Sequence, residues 1–171
     1  MKLIKSPDPI LLQTAIAWDF ATDSNAAEEE ESMVDLMINS NHAIGLAANQ
    51  VGLTKRVFAL QLQNHPTMLS PFAMFNPILI SVSTEIQIGL EGCLSFPDLW
   101  LEIKRPILID VEYFDKFGIQ CILQLNGIDA RCFLHELDHL NGICFTQKVS
   151  QLKLAMAQKK QFKRKQNGRT K

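Results

Sequence analysis

One helix-length segment constrains this chain more than any other. Between Asn126 and the pair Asn141-Gly142 lies the pattern His135-Glu136-Leu137-Asp138-His139. Asparagine opens helices well and Asn-Gly closes them, so the spacing predicts a helix over 126–140. Two histidines four residues apart project from one helical face, and both can reach one ion through metal–nitrogen bonds of about 2.0–2.1 Å. Glu136 lies beside that face, where a carboxylate can take a proton from water. The competing reading is an amphipathic helix whose histidines are ordinary core or surface residues.

The kind of metal site turns on a third ligand. Position 145 is Phe, so a third histidine beyond Gly142 is missing, and no Asp or Glu follows Asp138. The ligand therefore lies upstream or is a cysteine. Cys132 shares the helix face but precedes His139 by about 10.5 Å of rigid axis at 1.5 Å per residue, too far for one ion. Cys144, just past the helix end, stays open on geometry. Cys93 lies in Glu91-Gly-Cys-Leu-Ser95, a Gly-containing turn after a strand, where a thiolate and the next backbone N–H can meet. Cys121 falls within a strand and reads as a buried small hydrophobe.

The remaining pattern gives an α+β chain. Ser24 or Asn25 can cap a helix to about Ser40, with Glu28–Glu31 in its first turns where the helix dipole favours acids. Strands are predicted over 56–62, 76–83, 101–103, 107–114 and 119–125, the last two joined by a turn at Asp115-Lys-Phe-Gly118. The first 20 residues read as a loosely ordered arm. A third helix begins near Ser150. At 171 residues, 47% of them hydrophobic, the chain suits one ordinary globular domain. We expect a body over residues 1–149 and a basic helical tail over 150–171. Of 17 Lys and Arg, nine lie from Lys148 onward with no acid, which leaves eight against all 18 acids in the body.

No stretch approaches the roughly 20 apolar residues of a membrane helix, and the charged, proline-containing start does not fit a signal peptide. Four scattered cysteines do not suit a disulfide-stapled secreted fold. The expectation is a cytoplasmic protein without membrane or DNA partners.

Three motifs, in order, resemble the peptide deformylase family. Ala43-Ile-Gly-Leu-Ala-Ala-Asn-Gln50 matches the first except for its leading glycine, Glu91-Gly-Cys-Leu-Ser95 matches the second, and His135–His139 matches the third. Arg105 stands where the family tends to place an arginine. The resemblance implies one divalent metal ion per chain on Cys93, His135 and His139, with a fourth position open to water. Fe(II) is the implied ion, with Zn(II), Ni(II) or Co(II) as substitutes. It makes Glu136 the general base and acid, and the Gln50 amide and Leu94 N–H the stabilisers of the developing oxyanion. It implies a peptide backbone lying beside Ile44 and Gly45, and a methionine pocket walled by Ile44, Ile128, Cys132 and His135. For Ile128 and Cys132, plain helix packing is an equal reading.

The implied activity is hydrolysis of the formyl group from N-formyl-Met peptides during protein biosynthesis, with a central metal helix wrapped by small antiparallel sheets. The basic C-terminal segment would then contact the ribosome, against the simpler reading of a solvated face. Ala43 would be strained only if its position required a positive φ. His42 reads as a surface or capping residue rather than a ligand, and Asp138 as a partner for Arg105. A metallopeptidase and a non-catalytic metal- or ribosome-binding protein are the competing functions. Gln50 and Glu136 count against the latter, and the Cys93 motif counts against the former.

Overall fold

The computed structural model describes residues 1–40, 43–68 and 70–168. Helix α1 spans Ala26–Ile38, followed by strands β1 (Gly45–Ala47), β2 (Val57–Leu60), β3 (Phe72–Val82), β4 (Ile86–Cys93), β5 (Phe96–Pro106), β6 (Leu108–Phe114) and β7 (Gln120–Asn126). Helices α2 (Gly127–Leu140) and α3 (Gln151–Gly168) complete the chain. The strands form an antiparallel five-stranded sheet in the order β1-β2-β3-β6-β7 and a separate β4-β5 hairpin. Helix α2 packs against strands of both sheets, so the fold is α+β with this helix at its centre. Among the described residues no helix is long and apolar enough to cross a membrane.

The two faces of α2 explain its position. Ala130, Phe133, Leu137 and Leu140 enter the main core with Phe58, Phe75 and Met74 of the sheet. Phe133 and Phe58 meet edge to face with centroids 5.3 Å apart, a favourable aromatic geometry. Ile128, Arg131, Cys132, His135 and Glu136 follow the spacing i, i+3, i+4, i+7, i+8 and face a cavity instead. Burying one helix between two sheets thus presents one face for packing and one for chemistry.

Several elements differ from the sequence reading. The N-terminal arm is pinned: Ile4 N–H donates to Gln50 O at 2.7 Å, Ser6 N–H to Ser95 O at 2.9 Å and Ala15 N–H to Leu140 O at 2.8 Å. Such long-range bonds leave no signature in local composition. Strand β5 is far longer than 101–103, because Leu99, Leu101, Ile103 and Arg105 alternate inward. Strand β1 was not anticipated, and β4 is the strand expected ahead of the Cys93 turn, for which the motif set no bounds. Asn25 and Asn126 occupy the N-caps of α1 and α2 without side-chain capping bonds. Cys121 is half-buried, lying in the outermost strand β7 rather than in the core. Ala43 has no positive φ, since Asn76 and Asp98 are the only such non-glycine positions among the described residues, so alanine is unstrained there. His42 lies outside the described residues.

Candidate metal centre and active site

Strand β4 ends at Cys93, and a two-residue turn of Leu94 and Ser95 returns the chain into β5 at Phe96. That turn points the Cys93 sulfur at α2. Sγ lies 3.2 Å from His139 Nε2, and ligand atoms of Cys93, His135 and His139 all fall within 4.8 Å of one another. Bond lengths of about 2.0 Å to nitrogen and 2.3 Å to sulfur put tetrahedral ligand atoms roughly 3.3–3.8 Å apart. The three side chains therefore fit one ion with little adjustment. Cys132 and Cys144 stand outside this cluster; the Cys144 thiol instead approaches Leu11 O at 3.7 Å.

The orientation of His135 has a specific cause. Its Nδ1 meets Glu91 Oε2 at 2.9 Å, which fixes the ring and leaves Nε2 for a metal. Glu91 is itself held by three donors: Arg105 Nε to Oε1 and Nη2 to Oε2, each at 2.9 Å, and Arg131 Nη1 to Oε1 at 2.8 Å. Arg105 also binds Asp138 Oδ2 at 2.6 Å, and Asp138 Oδ1 meets Lys148 Nζ at 2.8 Å. Glu91, Arg105 and Arg131 are all about 95% buried, where an unpaired charge is costly, so the chain of pairs acts as one unit. Burial pushes the Glu91 carboxyl upward, but hydrogen bonds from His135 and Arg105 outweigh it and hold the pKa at about 2. Burial likewise pulls His135 down, while the Cys93 sulfur and the Glu91 carboxylate raise it to about 10 in the metal-free protein. Burial and the neighbouring His135 charge keep His139 neutral, well below its ordinary value.

Glu136 sits on the cavity side of α2 with Oε2 lacking a protein partner among the described residues. Burial pushes its pKa up to about 7, even though the His135 charge pulls the other way. Gly45 makes room for it. A Cβ there would collide with the Glu136 carboxylate and stand 2.7 Å from the Cys132 sulfur. Gln50 comes from the 3₁₀ turn after β1. Its Oε1 accepts from Ala47 N–H at 2.8 Å, which directs Nε2 to Cys93 Sγ at 3.3 Å and Ser95 Oγ at 3.2 Å. Asn49 donates to the His139 carbonyl, tying the same turn to the metal helix.

A cavity of about 620 Å³ opens over this centre. Ile44, Gly45, Gln50, Leu94, Ile128 and Cys132, all singled out in the sequence, line it with Cys93, His135 and Glu136. Strand β1 forms its edge. Ile44 O accepts from Gln61 N–H at 2.9 Å, which makes Gly45↔Leu60 a non-hydrogen-bonded pair. The Gly45 N–H and C=O therefore face the open side, free to pair with an extended ligand.

Sequence reasoning gave no role to Glu91, Arg131, Asn49 or Ser95. Glu91 had a usable signal, since it precedes Cys93 by two on a strand and so shares its face. Arg131 had one too, as a lone cation four residues before His135 on the chemical face. Asn49 and Ser95 act through contacts across the fold and carried none.

The family model for polypeptide deformylase matches residues 1–155. A peptide deformylase from Rhizobium meliloti (strain 1021) is 36% identical over 154 residues, 90% of this chain and 87% of that protein. The crystal structure of peptide deformylase from Thermotoga maritima superposes with a TM-score of 0.79 at 35% identity, covering 87% of this chain and 97% of that one. A peptide deformylase from Synechococcus elongatus, solved in complex with actinonin, gives 0.83 at 33% identity over 94% of this chain and 85% of that one.

Proposed function

From the premise that the chain belongs to the polypeptide deformylase family, and is a hydrolase releasing formate from N-formylmethionine of nascent polypeptides, we propose how its residues divide the work. The observation that carries the reading is the convergence of Cys93, His135 and His139 beside a buried, unpartnered Glu136 oxygen. Bound by those three residues, a divalent ion would supply Lewis acidity, polarising the formyl carbonyl and making hydroxide available near neutral pH.

Glu136 accepts the proton of the attacking water and passes it to the nitrogen of the departing amine as the C–N bond breaks. A carboxyl with a pKa of about 7 suits both directions of transfer at neutral pH. The Gln50 amide, aimed at the Cys93 sulfur, and the Leu94 N–H hydrogen-bond the oxygen on which charge develops. Removing one such donor costs about 3–4 kcal/mol of transition-state stabilisation. The substrate backbone pairs with the free edge at Gly45, and the methionine side chain enters between Ile44, Ile128, Cys132 and His135. A formyl carbon bears only hydrogen, so a closely walled centre admits it and rejects an acetyl methyl group.

Fe(II) is the ion we assign, with Zn(II), Ni(II) or Co(II) able to occupy the same donor set. We assign residues 1–149 to catalysis, the basic segment over 150–171 to ribosomal RNA, and the protein to the cytoplasm, where formylated chains are made. Ribosome binding that falls steeply with salt and is lost on truncation at Ser150 supports the second assignment; binding that survives truncation removes it.

The activity is tested with protein loaded with Fe(II) under exclusion of oxygen and given formyl-Met-Ala-Ser, acetyl-Met-Ala-Ser and Met-Ala-Ser. Formate from the first, no acetate from the second and no peptide-bond cleavage in the third is the expected result. Cleavage of the unformylated peptide would make the protein a metallopeptidase instead.

A further inference from the structure

The β4–β5 hairpin turns its apolar side chains outward along β4. Gln87, Gly89 and Glu91 face the protein, whereas Ile86, Ile88 and Leu90 face away from it. Helix α3 does not cover that outer row, because it packs with Leu99, Leu101 and Ile103 on the inner side of β5. Ile86, Ile88 and Leu90, together with Trp100 of β5, are each more than half exposed. Apolar side chains gathered in this way on one regular surface mark a place of contact.

The register of the hairpin shows what fits there. Across the outer face Ile86 stands beside Pro106, Ile88 beside Lys104, Leu90 beside Glu102 and Gly92 beside Trp100. The pair Gly89↔Ile103 is the centre of that ladder. A two-fold axis through this centre, in the plane of contact and across the strands, lays a second hairpin face to face on the first. Glu102 of each copy then lies over Lys104 of the other, and Leu90 over Ile88. Farther out, Trp100 meets Pro106. The bare backbone of Gly92, where a Cβ would stand 3.0 Å from the Trp100 ring, meets Ile86. Opposite charges thus meet twice and apolar groups meet around them, from one patch used on both copies. Sheet twist displaces the outer contacts more than the central four, which lie next to the axis. Both charges are free for the exchange. Lys104 has no ion pair among the described residues, and Glu102 has only an exposed contact with Lys153 at 3.5 Å.

Other arrangements fit less well. Leu90 and Trp100 also border the active-site cavity, but Ile86 and Ile88 do not, so a bound peptide would leave half the row bare. The exposed residues Ile78, Ile80 and Val82 of β3 lie beside the acids Asp110 and Glu112 of β6 and offer no such exchange of charge. We propose that the outer face of the β4–β5 hairpin is the interface of a homodimer, built on reciprocal Glu102–Lys104 pairs between two copies of this chain.

The test is sedimentation equilibrium of the full chain from about 1 to 100 μM, where a modest interface of this kind dissociates. Tryptophan emission is read beside it: Trp18 is buried, so a blue shift with rising concentration reports Trp100. The wild type is expected to dimerise within that range. Lys104→Glu sets acids opposite acids and should weaken the dimer by at least about tenfold, and Glu102→Lys should do the same with bases. Lys104→Glu leaves Lys153 and Glu102 together, so its effect is that of the interface alone. The double variant Glu102→Lys/Lys104→Glu restores opposite charges across the axis and should return to within about threefold of the wild type. That recovery belongs to a face set against its own copy, since the same swap would disrupt binding to any other charged partner. A wild type that stays monomeric overturns the proposal. So does a dimer indifferent to Lys104→Glu, or a folded double variant no better than the single ones. A monomer whose emission shifts only when formyl-Met-Ala-Ser is added gives the face to substrate and overturns it too. None of these readings depends on turnover, so they stand apart from the deformylase reading.

Discussion

Helices α2 and α3 both carry several charges, and those charges do opposite things. On α2, Arg131 reaches Glu91 at 2.8 Å and Asp138 reaches Arg105 at 2.6 Å, both deep in the fold. Asp129 accepts from the backbone N–H groups of Gln63 at 2.7 Å and Asn64 at 3.0 Å. On α3, Lys153 stands 3.5 Å from Glu102 with both side chains well exposed, and Lys159, Lys160, Lys163 and Arg164 face solvent. Buried charges must be paired, and pairing fixes position to within a few tenths of an ångström; solvated charges create a field but place nothing. The difference teaches that α2 is ordered by its charges as much as by its apolar face, whereas α3 docks through Leu154 and Ala157, with Val149 just ahead of it, and not through its cations.

Breaking the comparison at its strongest point means removing Glu91. Glu91→Ala leaves Arg105 and Arg131 buried without their shared counter-ion, and urea unfolding should show a loss of about 3–5 kcal/mol. The same contacts set an acid limit. Because the folded Glu91 carboxyl titrates at about 2 rather than at its ordinary value of 4.5, its contribution is complete above pH 4.5 and is lost as pH falls toward 2. Urea midpoints of the wild type should therefore drop across that window, and those of Glu91→Ala should drop less. A variant as stable as the wild type would mean that the network is only decorative.

A second perturbation leaves the charges and displaces one of them. Gly45→Ala drives a methyl group into the Glu136 carboxylate, and turnover should fall about 100-fold with the fold retained. Circular dichroism beside steady-state rates separates the two effects.

The metal-free His135, protonated up to about pH 10, must surrender its proton to bind an ion. Metal affinity should accordingly rise between pH 6 and pH 9, with proton release visible as a buffer-dependent calorimetric heat. The smallest effect belongs to α3. Lys153→Ala should change stability by less than about 0.5 kcal/mol, because an exposed pair contributes little. A loss comparable to that of Glu91→Ala would erase the contrast between the helices.

Much of this was legible in the sequence, for reasons that can be named. Helix α2 announced itself through its histidine spacing and its Asn-Gly end, and Cys93 through a compact motif. Strand β4 was legible only as a strand of unknown extent ahead of Cys93, because its alternation is inverted. Ile86, Ile88 and Leu90 face outward, while Gln87, Gly89 and Glu91 face in toward Arg131 and Arg105. An apolar-inward rule has no way to see a strand whose inner row is held by charge. Three-residue β1 was too short to register, and its importance lies in an unpaired edge that only tertiary structure creates.

The account stands or falls on Glu136 acting beside an ion held by Cys93, His135 and His139. The direct measurement is formate release from formyl-Met-Ala-Ser by wild type and Glu136→Ala, both assayed for metal content and fold. The account predicts equal metal content and a loss of turnover of about three orders of magnitude or more in the variant. Turnover within about tenfold of wild type, at equal metal content, would contradict it and move the proton transfers to another group.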